Sequence, residues 1–271
     1  MAHSNPAFVI DRSPFRPSPS PAGTIAEAII PAIYYERQHE TWRLLCARQL
    51  SAWKGRVDDE LFEAQQCLFH DALQIPSLAS LSKRLGMRYG WRLVRVDGLL
   101  PFPEFAQYLS QRIFPCSDFI RDLSEVEYTN EPDMFHDLMG HLPTLAHPFF
   151  AMLNQIFGDA GTRVRTPEQK LMLEKIYWYC LEFGLQNPTA YLGSKRDPKQ
   201  MRAYGAGLLA APRELEETFA GKVEIRPFSI EAILASAIDV YQPNTHLFEV
   251  DTLAHLGRAI TGWLIREGLY R

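Results

Sequence analysis

Residues 128–143 read YTNEPDMFHDLMGHLP, and residues 176–185 read IYWYCLEFGL. The first stretch holds His136 and His141, five positions apart. The zinc-protease pattern HExxH keeps its histidines four apart, on one helix face. On a regular α-helix a step of five turns the second ring about 140° away from the first. Both rings then reach one metal only if the helix stops between them. Gly140 suits a left-handed position at a helix C-terminus, and Pro143 opposes an early restart. The expectation is a helix over 131–140, opened by Glu131-Pro132-Asp133, that ends at Gly140 and folds His141 back beside His136. The second stretch supplies a carboxylate. Glu182 stands among Ile176, Tyr177, Trp178, Leu181, Phe183 and Leu185, where an ionised group is costly unless paired or metal-bound. Trp178, four residues earlier, shares its helix face. Two histidines and one carboxylate with open positions suit an iron(II) that activates oxygen. The same triplet suits a hydrolytic zinc centre. Helix capping by the histidines, or a Glu182–Lys175 pair, would leave no metal site at all. Spacing does not separate these readings.

Outward from these stretches, apolar residues recur at helical spacing. Trp42, Leu45, Cys46, Leu50 and Trp53 form one stripe, and Leu61, Phe62, Gln65, Leu68 and Phe69 another. Further helices are predicted over 78–85, 102–112, 148–157, 166–184, 229–237 and 252–267. Thr166, Ser229 and Thr252 serve as N-capping hydroxyls, with Pro167 in the first helical position. Alternation predicts a strand over 89–96, and residues 222–227 read as a second. The fold class is mostly α with a few short β-strands, in a single catalytic domain over 23–271. A flexible Pro/Ser-rich segment, 1–22, precedes it. That segment lacks the apolar run of a secretory signal, and the apolar stretch 25–35 is too short to span a bilayer. A formal charge of −4 over 271 residues offers no basic field to nucleic acid or anionic membrane. Four cysteines without a CxxC pair read as reduced thiols. The expected protein is soluble and cytoplasmic, without nucleic-acid or membrane partners.

The runs at 128–143 and 176–185 and AYGAGLL at 203–209, together with GWRLVRVDGLLPFPEF at 90–105 and FPCSDFIR at 114–121, resemble the pterin-dependent aromatic amino acid hydroxylases. The likeness runs in one order from about Tyr35 to the C-terminus, and in length it is closest to the bacterial single-domain phenylalanine 4-monooxygenases. It implies the hydroxylase catalytic fold, a monomer, and Fe(II) held by His136, His141 and Glu182. It also implies a tetrahydropterin co-substrate (tetrahydrobiopterin or related) and O2. Gly98, Leu99 and Leu100 match the backbone loop that binds the pterin. Phe105 matches the ring that stacks on it, Asp137 the acid that faces it through water, and Tyr177 a residue between pterin and iron. Arg121 matches the guanidinium that grips the carboxylate of a small aromatic amino acid, and Asp133 looks placed to orient it. Thr129 matches a second polar contact. Pro132, His136 and Trp178 match the walls of the ring pocket, with Phe114 adding to it. The implied reaction is ring hydroxylation of L-phenylalanine to L-tyrosine, with tryptophan, another aromatic substrate or another ring position as the alternative. Two departures stand out. Ala210 and Ala211 replace a pair of serines, and Phe102 stands where a serine is common.

Overall fold

Helix α1 (Glu36–Trp53) buries Trp42, Leu45, Cys46, Gln49, Ala52 and Trp53, the three-and-four spacing of a helix that lays one face on a core. In α2 (Asp59–Leu68) the Asp58 carboxylate accepts from the backbone N–H of Glu60 and Leu61. Ser77 caps α3 (Leu78–Tyr89), which Gly90 ends at φ 74°, a left-handed position that a side chain would strain. The strand predicted from Tyr89 therefore begins later, as β1 (Arg92–Val96). Helix α4 (Phe102–Ser110) carries the chain back to β2 (Ile113–Ser117), which pairs parallel with β1 in a two-stranded sheet.

The computed structural model describes residues 33–69, 73–126, 132–189, 197–239 and 242–271. The Pro/Ser-rich segment 1–22 and Glu131 lie outside them. Beyond β2 come two helical segments that carry the histidines and Glu182, separated by α5 (Leu142–Leu145), α6 (Pro148–Gly161) and α7 (Pro167–Tyr177). Next follow β3 (Leu185–Gln186), β4 (Arg202–Ala203), α8 (Ala206–Ala210), α9 (Pro212–Phe219), β5 (Glu224–Pro227), α10 (Ile230–Ala235), β6 (His246–Val250) and α11 (Leu253–Arg266). The second sheet runs in the order β4-β3-β6-β5, antiparallel only between β3 and β4. The predicted caps form. Thr166, Ser229 and Thr252 accept from the N–H of Gln169, Ala232 and His255. One apolar core runs from Trp42 to Leu269 and includes Phe114, Phe135, Leu138, Leu145, Ile176 and Leu209. The two ligand-bearing segments are thus anchored in the core rather than on a loop. Cys46, Cys116 and Cys180 are buried and Cys67 is exposed, all free. Among the described residues no helix is long and apolar enough to cross a membrane.

Candidate active site

The helix that carries the histidines does not stop at Gly140. Residues His136–His141 form a π turn, closed by the Leu142 N–H donating to Asp137 O. Each bond in such a turn spans five residues instead of four, so side chains five apart come to one side. His136 Nε2 and His141 Nε2 lie 3.2 Å apart. Gly140 is not among the glycines at positive φ, and the chain runs straight on into α5 with Pro143 in its first turn. The glycine is needed for space. A Cβ on Gly140 would sit 2.4 Å from the Ala206 carbonyl oxygen, a contact only backbone can make. The start of the helix also differs from expectation, because Asp133 caps it. Its Oδ1 accepts from the His136 N–H at 3.1 Å.

A second π turn, Trp178–Glu182, follows α7. The Phe183 N–H donates to Trp178 O at 2.9 Å. Glu182 Oε1 lies 3.1 Å from His141 Nε2, and Oε2 lies 3.7 Å from His136 Nε2. Lys175 turns away and donates to Leu234 O. Helix α8 packs between the two turns. A Cβ on Gly205 would meet Glu182 O at 2.4 Å, and one on Gly207 the Phe183 ring at 2.8 Å. From the far side, α1 holds α8 through Trp53 Nε1, which donates to Leu209 O at 3.0 Å. Sequence reading missed α8, since a five-residue helix of glycine, alanine and leucine shows no periodicity.

The charges agree with a cation site. Burial would raise the Glu182 carboxyl, yet the charge and hydrogen bond of His141 and the nearby His136 and Gly207 N–H bring it below the usual carboxylate range. Burial drives His136 down to about 4. Burial opposes the charge on His141 too, but Glu182 outweighs it and raises that ring. A neutral imidazole beside a held carboxylate is a set of ready donors. The three donor atoms lie within 4.8 Å of one another. Metal–nitrogen bonds of about 2.1 Å would put neighbouring donors roughly 3 Å apart at right angles, close to the edges measured here. All three come from one side, which leaves positions open as in an oxygen-activating facial triad. The donors therefore fit iron.

Beside the cluster, Arg121 and Asp133 form a buried two-point ion pair. Arg121 Nε and Nη2 donate to Asp133 Oδ2 and Oδ1 at 2.9 and 2.7 Å, and the Arg121 backbone N–H adds a third bond at 2.9 Å. Burial would raise Asp133, but the guanidinium carries it below the ordinary range. Because Asp133 also caps the His136 helix, Arg121 is tied directly to the metal ligand's own turn. Pro132, just before it, accepts from Ser117 Oγ at 3.3 Å. On the other flank Phe105 meets Phe114 and Tyr177 edge to face, with centroids 6.1 and 5.8 Å away. Phe114 is buried and leans on the His141 ring at 4.7 Å. Tyr177 donates to Asn154 Oδ1 at 3.2 Å, and its phenol is raised by burial and by the Glu182 and Asp137 carboxylates. Asp137 Oδ2 accepts from the Ser117 N–H at 2.7 Å, and burial pushes its carboxyl up to about 7. Gly98, Leu99 and Leu100 follow β1, with Leu99 exposed. Trp178 opens the second π turn. Thr129 lies outside the described residues. Phe102 points between α6 and α7, beneath Lys170 Nζ at 5.6 Å. Ala210 is buried, its methyl 3.3 Å from where a Gly140 side chain would start.

Comparison with known proteins bears directly on this arrangement. The pattern of the biopterin-dependent aromatic amino acid hydroxylases matches residues 25–263, which includes all three donors. The chain belongs to this family. It is 37% identical over 181 residues, 67% of this chain, to the phenylalanine-4-hydroxylase of Chromobacterium violaceum, and the matched stretch spans 58% of that relative's length. It is 30% identical over 227 residues, 83% of this chain and 77% of the relative, to the phenylalanine 3-hydroxylase of Streptomyces coeruleorubidus. The crystal structure of the Chromobacterium violaceum phenylalanine hydroxylase with bound iron(III) and 7,8-dihydrobiopterin superposes with a TM-score of 0.77 at 31% identity, covering 86% of this chain and 82% of that one. The family pattern spans both sheets and both π turns.

Proposed function

We propose that this hydroxylase converts L-phenylalanine to L-tyrosine with iron(II) at His136, His141 and Glu182, a tetrahydropterin as co-substrate, and O2. The observation that carries the proposal is the placement of a buried guanidinium–carboxylate pair on the very turn that holds the metal donors. When bound, iron and the reduced pterin supply the activation of oxygen. The chain's residues bind, orient and exclude water. Asp133 engages two of the five N–H groups of Arg121. Among the described residues the rest meet no acceptor, and they would take a substrate carboxylate in the planar manner that suits this group. Fixing that end aims the aromatic ring at the metal's open face, where a small misplacement costs rate. Pro132, Trp178 and the His136 ring form the walls, with Phe114 behind His141 and Thr129 as a second polar contact. Phe105 and Tyr177 present aromatic surface for a flat heterocycle, beside the Gly98–Leu100 backbone. Asp137, held through Oδ2 by the Ser117 N–H, faces that heterocycle through water. The reading includes a monomeric, cytoplasmic enzyme acting on a small molecule.

A second reading, hydroxylation at another ring position, draws on the 3-hydroxylase relative and on Ala210, which leaves the pocket side of α8 without a hydroxyl. One experiment tests both. The iron(II)-loaded protein is given L-phenylalanine, O2 and a tetrahydropterin, and the products are separated against authentic tyrosine isomers. para-Tyrosine that needs all three additions is the expected result. meta-Tyrosine selects the second reading, and no product from iron-holding protein refutes both.

A further inference from the structure

The Trp178 indole is held from behind by a residue that belongs to no motif. Trp178 Nε1 donates to Asn244 Oδ1 at 2.9 Å. Asn244 lies in residues 242–245, the approach to β6, 66 positions further along the chain. An indole nitrogen is purely a donor, so the amide must turn its oxygen to Trp178 and its nitrogen the other way. That nitrogen is shielded from solvent and, among the described residues, finds no acceptor at good hydrogen-bonding geometry. The group that feels it is the Glu214 carboxyl in the first turn of α9, which burial raises and the Asn244 amide draws back down. On its other side the indole leans on Phe183, with centroids 4.6 Å apart and planes at 45°. Phe183 limits the tilt of the indole, and the bond to Asn244 limits its rotation.

We infer that Asn244 is a positioning residue that sets the ring plane of Trp178 and so the width of the aromatic-substrate pocket. The inference rests on the proposed role of Trp178 as a pocket wall. Without the acceptor, the indole either keeps a buried donor unpaired or swings to find another partner. Either way the wall moves while the metal donors stay.

The test compares wild type, Asn244→Leu, and the pair Asn244→Asp with Glu214→Gln. The pair keeps an acceptor for Trp178 and swaps donor and acceptor between the other two groups. The indole N–H resonance of Trp178, identified by its loss in Trp178→Phe, is followed by nitrogen NMR in metal-free protein, together with KM and kcat for L-phenylalanine and L-tryptophan. Asn244→Leu is expected to move the resonance and raise KM for phenylalanine by roughly five- to tenfold. It should also narrow the preference for phenylalanine over tryptophan and leave iron(II) affinity unchanged. The swapped pair is expected to restore both readouts. Asn244→Ala replaces the leucine variant if that one does not fold. A resonance that moves while KM and the substrate preference stay put overturns the inference, as does a swapped pair that restores neither. A wild type that turns over no aromatic amino acid overturns the pocket reading and this inference together.

Discussion

The two π turns face each other across the same donor cluster, and they are held in place differently. The turn His136–His141 is capped at its entrance by Asp133, continues into α5, and has every residue after His136 buried. It supplies two donors whose separation is set within the turn. The turn Trp178–Glu182 stops one residue later, at Phe183 with φ −124° and ψ 28°. It supplies one donor, from its last position, and leans on the backbone of α8. Both turns press on α8, Gly140 at Ala206 and Glu182 at Gly205, but one half of the site fixes the spacing of its own two donors and the other brings a single donor to them. Damage should propagate differently from each.

The largest effect is expected where the cap of the first turn loses its charge partner. Arg121→Ala leaves the Asp133 charge buried and unpaired, which should cost about 3–5 kcal/mol of stability and raise KM for the amino acid. Thermal melts would check it, and Arg121→Ala with Asp133→Ala should recover part of the loss. A stable single variant would show that the buried ion pair does not anchor this turn. Glu182→Ala comes next. Removing a ligand should weaken iron(II) binding by at least about a hundredfold, more than loss of a supporting residue does, while the melt of the metal-free protein changes little. Metal titration decides, and tight binding by this variant would remove the second turn from the site. Gly140→Ala should cost about 1–3 kcal/mol through overpacking against Ala206, whereas Gly262→Ala, whose Cβ would have no neighbour nearer than 3.7 Å, should stay within about 0.5 kcal/mol. Equal effects at the two glycines would deny any special contact with α8. The smallest effect is on pH. The folded Asp133 carboxyl titrates below its ordinary value of about 4. Its contribution is fully present above that value and fades as pH falls through the lower folded one. The stability gap between metal-free wild type and Asp133→Asn should therefore shrink in acid, and a gap independent of pH would contradict the pairing.

Much of this could be read from the residues. A five-residue spacing between histidines announces that something other than a regular helix joins them, and an acid among aromatics announces a partner. The sequence did not reveal which device resolves the spacing. A broken helix and a widened one satisfy the same two residues, and Gly140 fits either. The contact that distinguishes them, with Ala206, lies 66 residues away. β2 was overlooked because Pro115 sits within it, and proline in a strand is tolerated only where a ladder donor is dispensable. β3 and β4 have two residues each, too few to show alternation. Asn244 offers no local signal, since its value lies wholly in what it faces.

A π turn is an α-helix with one residue more than the regular count. Deleting one residue between His136 and His141 would leave the histidines four apart, the spacing that a regular α-helix keeps on one face. The rings and α5 would keep their bearing while the turn tightened from π to α. The π turn thus absorbs the extra residue on the spot. Had the same residue been wound into a regular helix, His141 and Leu145 would both have swung round by about 100°. The phase of the donors and the phase of α5 are one quantity, and the turn is what preserves it.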